Sequence, residues 1–222
     1  MKELFGGIAD RYDRMNRIMS LSLDRRWRRM ALAPSTIPPG SDVLDLACGT
    51  GDFSLEVLNR FPDAKVTGVD IAPEMLAVAR RKIHDSANVA FMEGDAQNLV
   101  GIPSGRHSLA VCAFGFRNFP DKARALGECH RVLKPGGELV VLELFRPASR
   151  VTGALVGAWL AFVSFLFAHG AKKEYAYLRQ SIAGTVSADE FIVIAEEAGF
   201  TLLRRRNFMP SATCLAFVKR TD

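Results

Sequence analysis

The chain has 222 residues, of which 49% are hydrophobic and 24% charged, and its formal net charge is +5. This length and composition are typical of one globular domain with a full core. The four cysteines show neither a C-x-x-C pair nor a metal-ligand spacing, which excludes a disulfide framework and is typical of reduced thiols in a cytosolic protein. The four histidines form no cluster, so we expect no metal.

Most of the positive charge lies in residues 1–29, where eight basic side chains stand against four acidic ones and leave a net +4. Three interpretations are open for this segment: solvated helix faces, attraction to an anionic membrane surface, or contact with nucleic acid. No other basic stripe with interleaved aromatic residues accompanies it, which disfavours nucleic acid. The segment is charged throughout and has no apolar central run, so we expect no secretory signal.

The predicted elements begin with two helices over residues 3–33, separated at Ser20–Ser22, after which Pro38-Pro39-Gly40 releases the chain into the first strand. Strands are then predicted over 42–47, 65–70, 88–93 and 107–114, alternating with helices over 52–60, 73–84 and 120–132. A turn at Pro135-Gly136-Gly137 precedes a strand over 138–144. The chain ends with a helix over 187–198, Gly199 as its C-cap, and a hairpin of strands over 200–208 and 212–219. Alternation of strands and helices predicts an α/β fold, with a mostly parallel sheet covered on both faces and an antiparallel C-terminal hairpin.

The most informative segment joins the first predicted strand to the next helix. It reads VLDLACGTGDF from Val43 to Phe53, and Asp70 ends the following apolar run. Gly49 and Gly51 let the backbone approach a ligand closely, and the helix start directs N–H groups toward it. An acid about twenty residues further on is placed to accept hydrogen bonds from ribose hydroxyls. The segment therefore predicts a site for a nucleotide-like cofactor.

Two cofactor classes compete for this site, and a purely structural glycine turn is the third alternative. A dinucleotide fingerprint requires a third glycine where this chain has Ser54, and the Asp52 carboxylate would repel a pyrophosphate. A sulfonium cofactor with an amino-acid tail needs no phosphate cradle. The pattern thus favours S-adenosylmethionine over NAD. Cys48, inside the turn, is expected to be a small buried filler.

Residues 151–168 carry no charge and are bounded by Arg150 and by Lys172-Lys173. As a helix the run would be ~27 Å long, slightly shorter than the ~30 Å hydrocarbon core of a bilayer. A membrane-spanning helix would also place two pieces of one sheet on opposite sides of the bilayer. We therefore expect a lid helix that lines an apolar substrate cavity or lies partly in a membrane surface, with plain core packing as the alternative.

Several segments together resemble one family, the menaquinone/ubiquinone biosynthesis C-methyltransferases of the UbiE/MenG type. The matching segments are FxxIAxxYDxMNxIMS from Phe5 to Ser20, RxWRR from Arg25 to Arg29, the glycine turn, FGFRN from Phe114 to Asn118, RVLKPGG from Arg131 to Gly137 and YAYLRQSI from Tyr175 to Ile182. The glycine turn and the RVLKPGG segment are shared by many methyltransferases. The N-terminal and FGFRN segments are much more specific.

The resemblance implies a class I methyltransferase fold, which is Rossmann-like, in a single domain over residues 1–222. It implies an N-terminal helical cap at 1–38 and a substrate-covering helical insertion at 145–186 that carries the lid helix. The implied reaction transfers a methyl group from S-adenosylmethionine to a ring carbon of a demethylated polyprenyl quinol, either demethylmenaquinol or the ubiquinone precursor. We expect a cytoplasmic enzyme that works at the inner membrane face, with the quinol and an anionic membrane surface as partners and no nucleic acid; a homodimer is also compatible with the sequence.

The resemblance and the glycine turn together name the candidate site residues. The catalytic candidates are Arg117, Asn118 and Tyr12, of which Arg117 would stabilise a phenolate or hold a water that accepts its proton. The cofactor-binding candidates are Gly49, Thr50, Gly51, Asp70, Ile71, Asp95, Ala96 and Ala113. Alternatives remain open for single residues: Arg117 as a strand-end cap paired with a carboxylate, Tyr12 as an ordinary buried tyrosine, and Asp95 and Thr50 as turn residues.

Three departures from the family pattern affect the details. Ala113 replaces a small hydroxylated residue, so one polar cofactor contact is missing. A Pro-x-x-Gly element is absent around 167–170, and Gly184-Thr185 replaces a Phe-Pro pair. The last two lie in the substrate-covering region and bear on the identity of the quinol. Two other functions are compatible with the residues: methylation of another apolar small molecule, and a non-catalytic, S-adenosylmethionine-binding assembly protein.

Overall fold

The computed structural model describes residues 9–84, 86–147, 149–167, 172–208 and 212–221. Its helices are Ala9–Ser20 (α1), Leu23–Leu32 (α2), Asp52–Arg60 (α3), Pro73–Lys82 (α4), Lys122–Val132 (α5), Arg150–Phe167 (α6), Lys172–Gly184 (α7) and Ala188–Glu197 (α8). Its strands are Asp42–Leu46 (β1), Lys65–Asp70 (β2), Val89–Glu93 (β3), His107–Ala113 (β4), Leu133–Glu143 (β5), Phe200–Phe208 (β6) and Ala212–Lys219 (β7).

The strands form one seven-stranded sheet in the order β3-β2-β1-β4-β5-β7-β6. The pairs β1–β2, β2–β3, β1–β4 and β4–β5 are parallel, whereas β7 pairs antiparallel with both β5 and β6. The predicted mostly parallel sheet with an antiparallel C-terminal hairpin is therefore confirmed. The strand order reverses between β1 and β4, and in such sheets ligands bind outside the carboxyl ends of the strands at this point.

Local signals explain where several elements begin and end. Gly51 has φ +79° and is the N-cap of α3, while Gly199, with φ +92°, follows the end of α8 as expected for a C-cap. Ser187 and Glu190 form a capping box at the start of α8. The predicted break between the first two helices is confirmed, since Leu21 and Ser22 have φ of 50° and 61°.

The predicted turn at residues 135–137 is a register shift inside β5 and not its beginning. His107 pairs with Leu133 and Leu109 with Glu138, so the partner strand carries three extra residues between these pairs. Gly136 has φ +71° there, the left-handed conformation that glycine adopts readily. The predicted turn is therefore present, but the strand begins before it, because the ladder continues on its other side.

Apolar side chains cover both faces of the sheet. One face packs against α5 and α8 through fully buried rings that include Phe191 and Phe217, while the other packs against α2 and α3 through Trp27 and Phe53. Trp27 stacks on Phe208 of β6 with ring centroids 6.4 Å apart. The second N-terminal helix, α2, is thus part of the core and not an appendage.

The helical insertion is attached next to the carboxyl end of β5. Leu178 and Ile182 of α7 are buried and pack with Leu144, Val156 and Trp159. Helix α6 contacts α1 and α7. Over the part of the chain that the structure describes, no helix combines the length and apolarity needed to cross a bilayer.

Candidate functional site

The turn after β1 is held against the end of β2 by one carboxylate. Asp70 accepts a hydrogen bond from the Gly49 N–H on Oδ2 (2.8 Å) and from the Ala72 N–H on Oδ1 (2.9 Å). Burial raises the pKa of Asp70, although the backbone N–H groups oppose the rise. Each carboxylate oxygen can accept a second hydrogen bond, so the predicted ribose contact of Asp70 is compatible with this geometry.

The two glycines of the turn have different surroundings. A Cβ on Gly49 would lie 3.9 Å from Tyr12 Cε1, and Gly49 lines a cavity on this side. A Cβ on Gly51 would lie 3.2 Å from side-chain atoms of Ala79, Ile83 and Phe91. Gly51 thus has a packing role and a positive φ that favour glycine, while Gly49 borders the cavity; the predicted contact of Gly51 with the cofactor stays a prediction.

A cavity of about 200 Å³ opens at the carboxyl ends of β1, β2 and β4. Most of the predicted cofactor-binding residues line it, namely Gly49, Asp70, Ile71, Asp95, Ala96 and Ala113. Tyr12 and Asn118, two of the catalytic candidates, also line it. The sequence analysis missed Phe114, Gly115 and Phe119 as lining residues, although the FGFRN segment contained the first two. Of the α6 side chains that the structure describes, none lines it, and the expected lining role of that helix stays a prediction.

Asp95 lies in the turn after β3 and uses its own carboxylate to shape that turn. Its Oδ1 accepts hydrogen bonds from the Gln97 N–H (2.9 Å) and the Gln97 Nε2 (3.2 Å). The alternative in which Asp95 is a turn residue therefore describes its contacts in the structure. Ala96 is buried beside it, and both residues line the cavity. Their predicted contact with an adenine is compatible with this placement and stays a prediction.

A small second cavity of about 20 Å³ lies behind the glycine turn and shares Tyr12, Gly49 and Ala113 with the first. Asp45 and Arg28 line it, and both are buried. Within the described part of the chain, Asp45 Oδ1 and Arg28 Nε have no hydrogen-bond partner. An unpartnered carboxylate oxygen and guanidinium N–H are complementary to the ammonium and carboxylate of an amino acid.

Ser54 occupies the position where a dinucleotide fingerprint has its third glycine. Its hydroxyl is fully buried and donates a 2.6 Å hydrogen bond to Asp45 Oδ2. Ser54 thus has a structural role that a glycine could not have, because its hydroxyl donates a hydrogen bond to the buried Asp45. Neither residue was singled out for such a role from the sequence.

Lys82, at the end of α4, links the turn to the N-terminal helix. Its Nζ lies 2.5 Å from Asp13 Oδ2 and 2.6 Å from Asp52 Oδ1, and it donates a 3.1 Å hydrogen bond to the Thr50 hydroxyl. The Thr50 hydroxyl in turn donates to Asp13. Thr50 therefore borders the second cavity and not the first, and its predicted contact with the methionine tail stays a prediction.

The Lys82 contacts also revise one argument about the cofactor. Burial tends to raise the pKa of Asp52, but the charges of Lys82, Arg28 and Arg17 and the hydrogen bond from Lys82 together outweigh it, and the pKa is lowered overall. The Asp52 carboxylate is therefore ionised yet compensated by an adjacent cation. It therefore repels a pyrophosphate less strongly than predicted. The discrimination between NAD and S-adenosylmethionine depends more on the missing third glycine.

Arg117 is placed differently from the expectation of a guanidinium that faces the substrate. Its Nη1 lies 3.0 Å from Glu143 Oε1 and also donates to the Phe114 carbonyl, and its side chain is only 7% exposed. It is not among the residues that line the cavity. The alternative from the sequence, a strand-end arginine paired with a carboxylate, is the arrangement in the structure. Burial raises the pKa of Tyr12 and Tyr177, and the Arg117 charge opposes this rise, so Arg117 acts on the site without lining it.

Two tyrosine hydroxyls lie near this ion pair. Burial raises the pKa of Tyr12, which lines both cavities. Burial also raises the pKa of Tyr177, whose hydroxyl donates a 2.9 Å hydrogen bond to Asn118 Oδ1. Tyr177 was quoted within the YAYLRQSI segment but not proposed as a site residue; nothing in a one-dimensional pattern indicates that this tyrosine reaches Asn118.

The surroundings of the cysteines do not favour a nucleophilic role. All four are free and buried, and burial raises the pKa of the Cys48 thiol. A protonated thiol is a poor nucleophile. The prediction that Cys48 is a small buried filler is confirmed by its 7% exposure.

Comparison with known proteins gives consistent results over nearly the whole chain. A model described as the ubiE/COQ5 methyltransferase family matches residues 1–219. A demethylmenaquinone methyltransferase of Thermus thermophilus is 41% identical over 204 residues, which cover 90% of this chain and 92% of the relative. A protein of the same name from Deinococcus radiodurans is 39% identical, covering 90% of this chain and 84% of the relative.

Solved structures support the fold. A SAM-dependent methyltransferase from Thermotoga maritima aligns with a TM-score of 0.70 over 99% of this chain and 100% of that one, at 19% identity. Another from Aquifex aeolicus aligns with a TM-score of 0.63 over 86% of this chain and 88% of that one, also at 19% identity.

Asp45 is expected to make the stability of the protein depend on pH. Burial raises its pKa to about 7, against an ordinary value of about 3.9 in an unfolded chain. The folded state therefore keeps a proton that the unfolded state loses above about pH 4, and this stabilisation disappears as the pH rises through 7. At about 1.4 kcal/mol per unit, the free energy of unfolding should fall by about 3 kcal/mol between pH 5 and pH 8 because of this group.

Urea unfolding at the two pH values measures this loss. Asp45→Asn should flatten the profile by about that amount, since the amide does not titrate. Asp63→Asn, at an exposed loop position, is the matched control and should leave the profile as in the wild type. Identical profiles for wild type and Asp45→Asn would contradict the prediction.

Proposed function

This chain belongs to the ubiE/COQ5 methyltransferase family, and from that premise we propose that it methylates a ring carbon of a demethylated polyprenyl quinol. The observation that carries the proposal is the cavity at the carboxyl ends of β1, β2 and β4. Its lining residues include Asp70 and Asp95 as well as Tyr12 and Asn118. Residues that would bind the cofactor and residues that would bind the phenol thus line the same cavity.

The residues present fit S-adenosylmethionine. Asp70 would accept the ribose hydroxyls, and Asp95 with Ala96 would contact the adenine. The orphaned atoms of Asp45 and Arg28 would receive the charged ends of the methionine tail through the second cavity. When bound, this cofactor supplies a methyl group made electrophilic by its sulfonium.

The acceptor must be made nucleophilic, and that task falls to the protein. A ring carbon attacks readily only after its neighbouring hydroxyl loses a proton. A phenol of pKa about 10 lies three units above neutrality, which corresponds to a cost of about 4 kcal/mol. Donors and positive charge aimed at the developing phenolate offset part of this cost. Alignment of the two reactants supplies a further share, up to about 7–11 kcal/mol.

Arg117, Asn118 and Tyr12 are the groups that would do this. Asn118 and Tyr12 border the cavity, and their polar atoms would orient the ring oxygen. Arg117 would act from behind them, because direct contact with the substrate would require it to leave the buried Glu143 carboxylate. The proton acceptor in this proposal is a water in the cavity and not a side chain.

The deciding test is the product. The purified protein is incubated with S-adenosylmethionine carrying a labelled methyl group and with reduced quinones extracted from membranes, and the methylated product is identified by mass. We expect the label on the ring of a polyprenyl naphthoquinol or benzoquinol. Labelling of other lipophilic phenols but no quinol would identify a different methyltransferase. Binding of the cofactor with no product from either would favour a non-catalytic binding protein.

Arg117 should be needed for turnover but not for cofactor binding. Arg117→Ala alone would leave Glu143 buried and unpaired, at a cost of about 3–5 kcal/mol of folding free energy. The double variant Arg117→Met with Glu143→Gln avoids this penalty. It should bind S-adenosylmethionine with unchanged affinity by calorimetry and turn over at least about 100-fold more slowly, as for loss of an electrostatic stabiliser. Wild-type turnover in the folded double variant would reject the assigned role.

A quinol with a long prenyl tail resides in a membrane, and the surface of the protein fits an encounter with one. Arg25 and Arg26 of α2 are exposed, whereas Arg28 is buried against Asp24 at 2.7 Å and does not contribute. Leu155 on α6 is 64% exposed on a helix that contacts α1. We infer that these exposed basic and apolar groups bind the anionic surface from which the substrate is taken.

Flotation with anionic liposomes tests this encounter. The wild-type protein should co-migrate at low salt and dissociate as the salt concentration rises, because screening weakens exposed charge contacts. Arg25→Glu should reduce co-migration, whereas Lys65→Glu, an equal charge change at the amino end of β2, should not. No flotation of the wild type at low salt would refute membrane binding without affecting the assignment of the reaction.

A further inference from the structure

Asn118 is the last residue of the 3₁₀ turn Phe116–Asn118 and lines the cavity. A carboxamide has one end that accepts hydrogen bonds and one that donates them, and the two ends have nearly the same shape. Which end faces a ligand therefore depends on the neighbours of the amide. A phenolate in the cavity would be stabilised by the N–H end of the amide and repelled by its oxygen end.

Two neighbours determine the orientation of this amide. Tyr177 donates from its hydroxyl to Asn118 Oδ1 at 2.9 Å, and Asn118 Nδ2 donates to the Phe114 carbonyl at 3.3 Å. Rotating the amide by half a turn would place its oxygen against the Phe114 carbonyl oxygen. The observed orientation leaves the second N–H of Nδ2 for a group in the cavity.

The position of Tyr177 in the fold supports its hydrogen bond to Asn118. It precedes Leu178, which is 6% exposed and packs against Leu144, so the backbone of α7 is anchored beside the end of β5. Burial raises the pKa of the Tyr177 hydroxyl, which therefore stays protonated and able to donate at neutral pH. The contact joins the helical insertion to the 3₁₀ turn that carries Asn118.

We propose that Tyr177 is a positioning residue for methyl transfer, which holds the Asn118 amide so that an N–H and not an oxygen faces the ring oxygen of the acceptor. This inference rests on the proposed function and goes beyond it, because it makes the insertion part of the machinery and not only a cover. Without this hydrogen bond, the Phe114 carbonyl alone orients the amide, and the flipped orientation, whose oxygen opposes the phenolate, becomes more populated.

The experiment compares Tyr177→Phe, Asn118→Ala and the double variant in the quinol assay. Tyr177→Phe should lower kcat about 5- to 10-fold, as for one hydrogen bond, with little change in the KM for quinol or in the Kd for S-adenosylmethionine. Its kcat should also need a higher pH to reach its plateau, because the acceptor phenol is less acidified. The double variant should be no slower than Asn118→Ala, since both changes remove the same interaction.

Gln180→Ala, at an exposed position on α7, is the matched control and should behave as the wild type. A purely structural role of Tyr177 would instead multiply the two losses in the double variant and leave the pH profile in place, and that result would overturn the inference. So would an unchanged kcat in Tyr177→Phe. Failure of the wild type to methylate any quinol would refute the proposed function itself. The two failures are therefore distinguishable, because the inference is tested only by the variants.

Discussion

The carboxylate of Asp70 joins the ends of two parallel strands, and the geometry of the site depends on it. By accepting the N–H of Gly49 and of Ala72, it fixes the turn after β1 relative to the turn after β2. The group is buried, which is costly for a charge, and the two backbone donors compensate. Tyr12, the cavity wall and the second cavity all take their positions from the turn that is held in this way.

A second set of charges holds the N-terminal cap in place. Lys82 lies between Asp13 of α1 and Asp52 at the start of α3, so one ammonium bridges a helix of the cap and the turn of the site. Pairs at half-buried positions are individually weak and sensitive to solvent. Helix α1 of the cap is therefore attached near the cofactor turn by contacts that can exchange with water, whereas α2 is attached by the buried Trp27. Such a division suits a segment that must admit a ligand.

Much of the fold follows from local signals in the sequence. The elements Asp52–Arg60 and Lys65–Asp70 coincide with their predictions, because strong periodicity and clear end signals mark both. The continuation of β5 beyond its glycine turn depends on pairing with His107, a partner distant in the chain. Helix α7 was not delimited, since its first turn is charged and its buried face is defined by contacts with Leu144 and Trp159.

The site was predictable to a similar depth. Motifs identified the residues around the cavity, but not the direction in which each side chain points. Arg117 illustrates the limit: its position in the FGFRN segment is right, yet its guanidinium turns away to Glu143, at the end of a strand formed 26 positions later. Lys82 and Tyr177 carry no motif signal of their own for these contacts, because their partners are distant in the chain.

Phe114 adopts a left-handed backbone conformation with φ of 61°, and Arg117 and Asn118 both donate to its carbonyl. Such a conformation in a bulky residue costs of order 1–3 kcal/mol and persists only where its surroundings enforce it. Its ring borders the cavity and lies under the Arg28 guanidinium at 5.3 Å. Glycine would relieve this strain but would lose the packing of the ring against the buried cluster around Trp27, so the strain is balanced by contacts that shape the wall of the cavity.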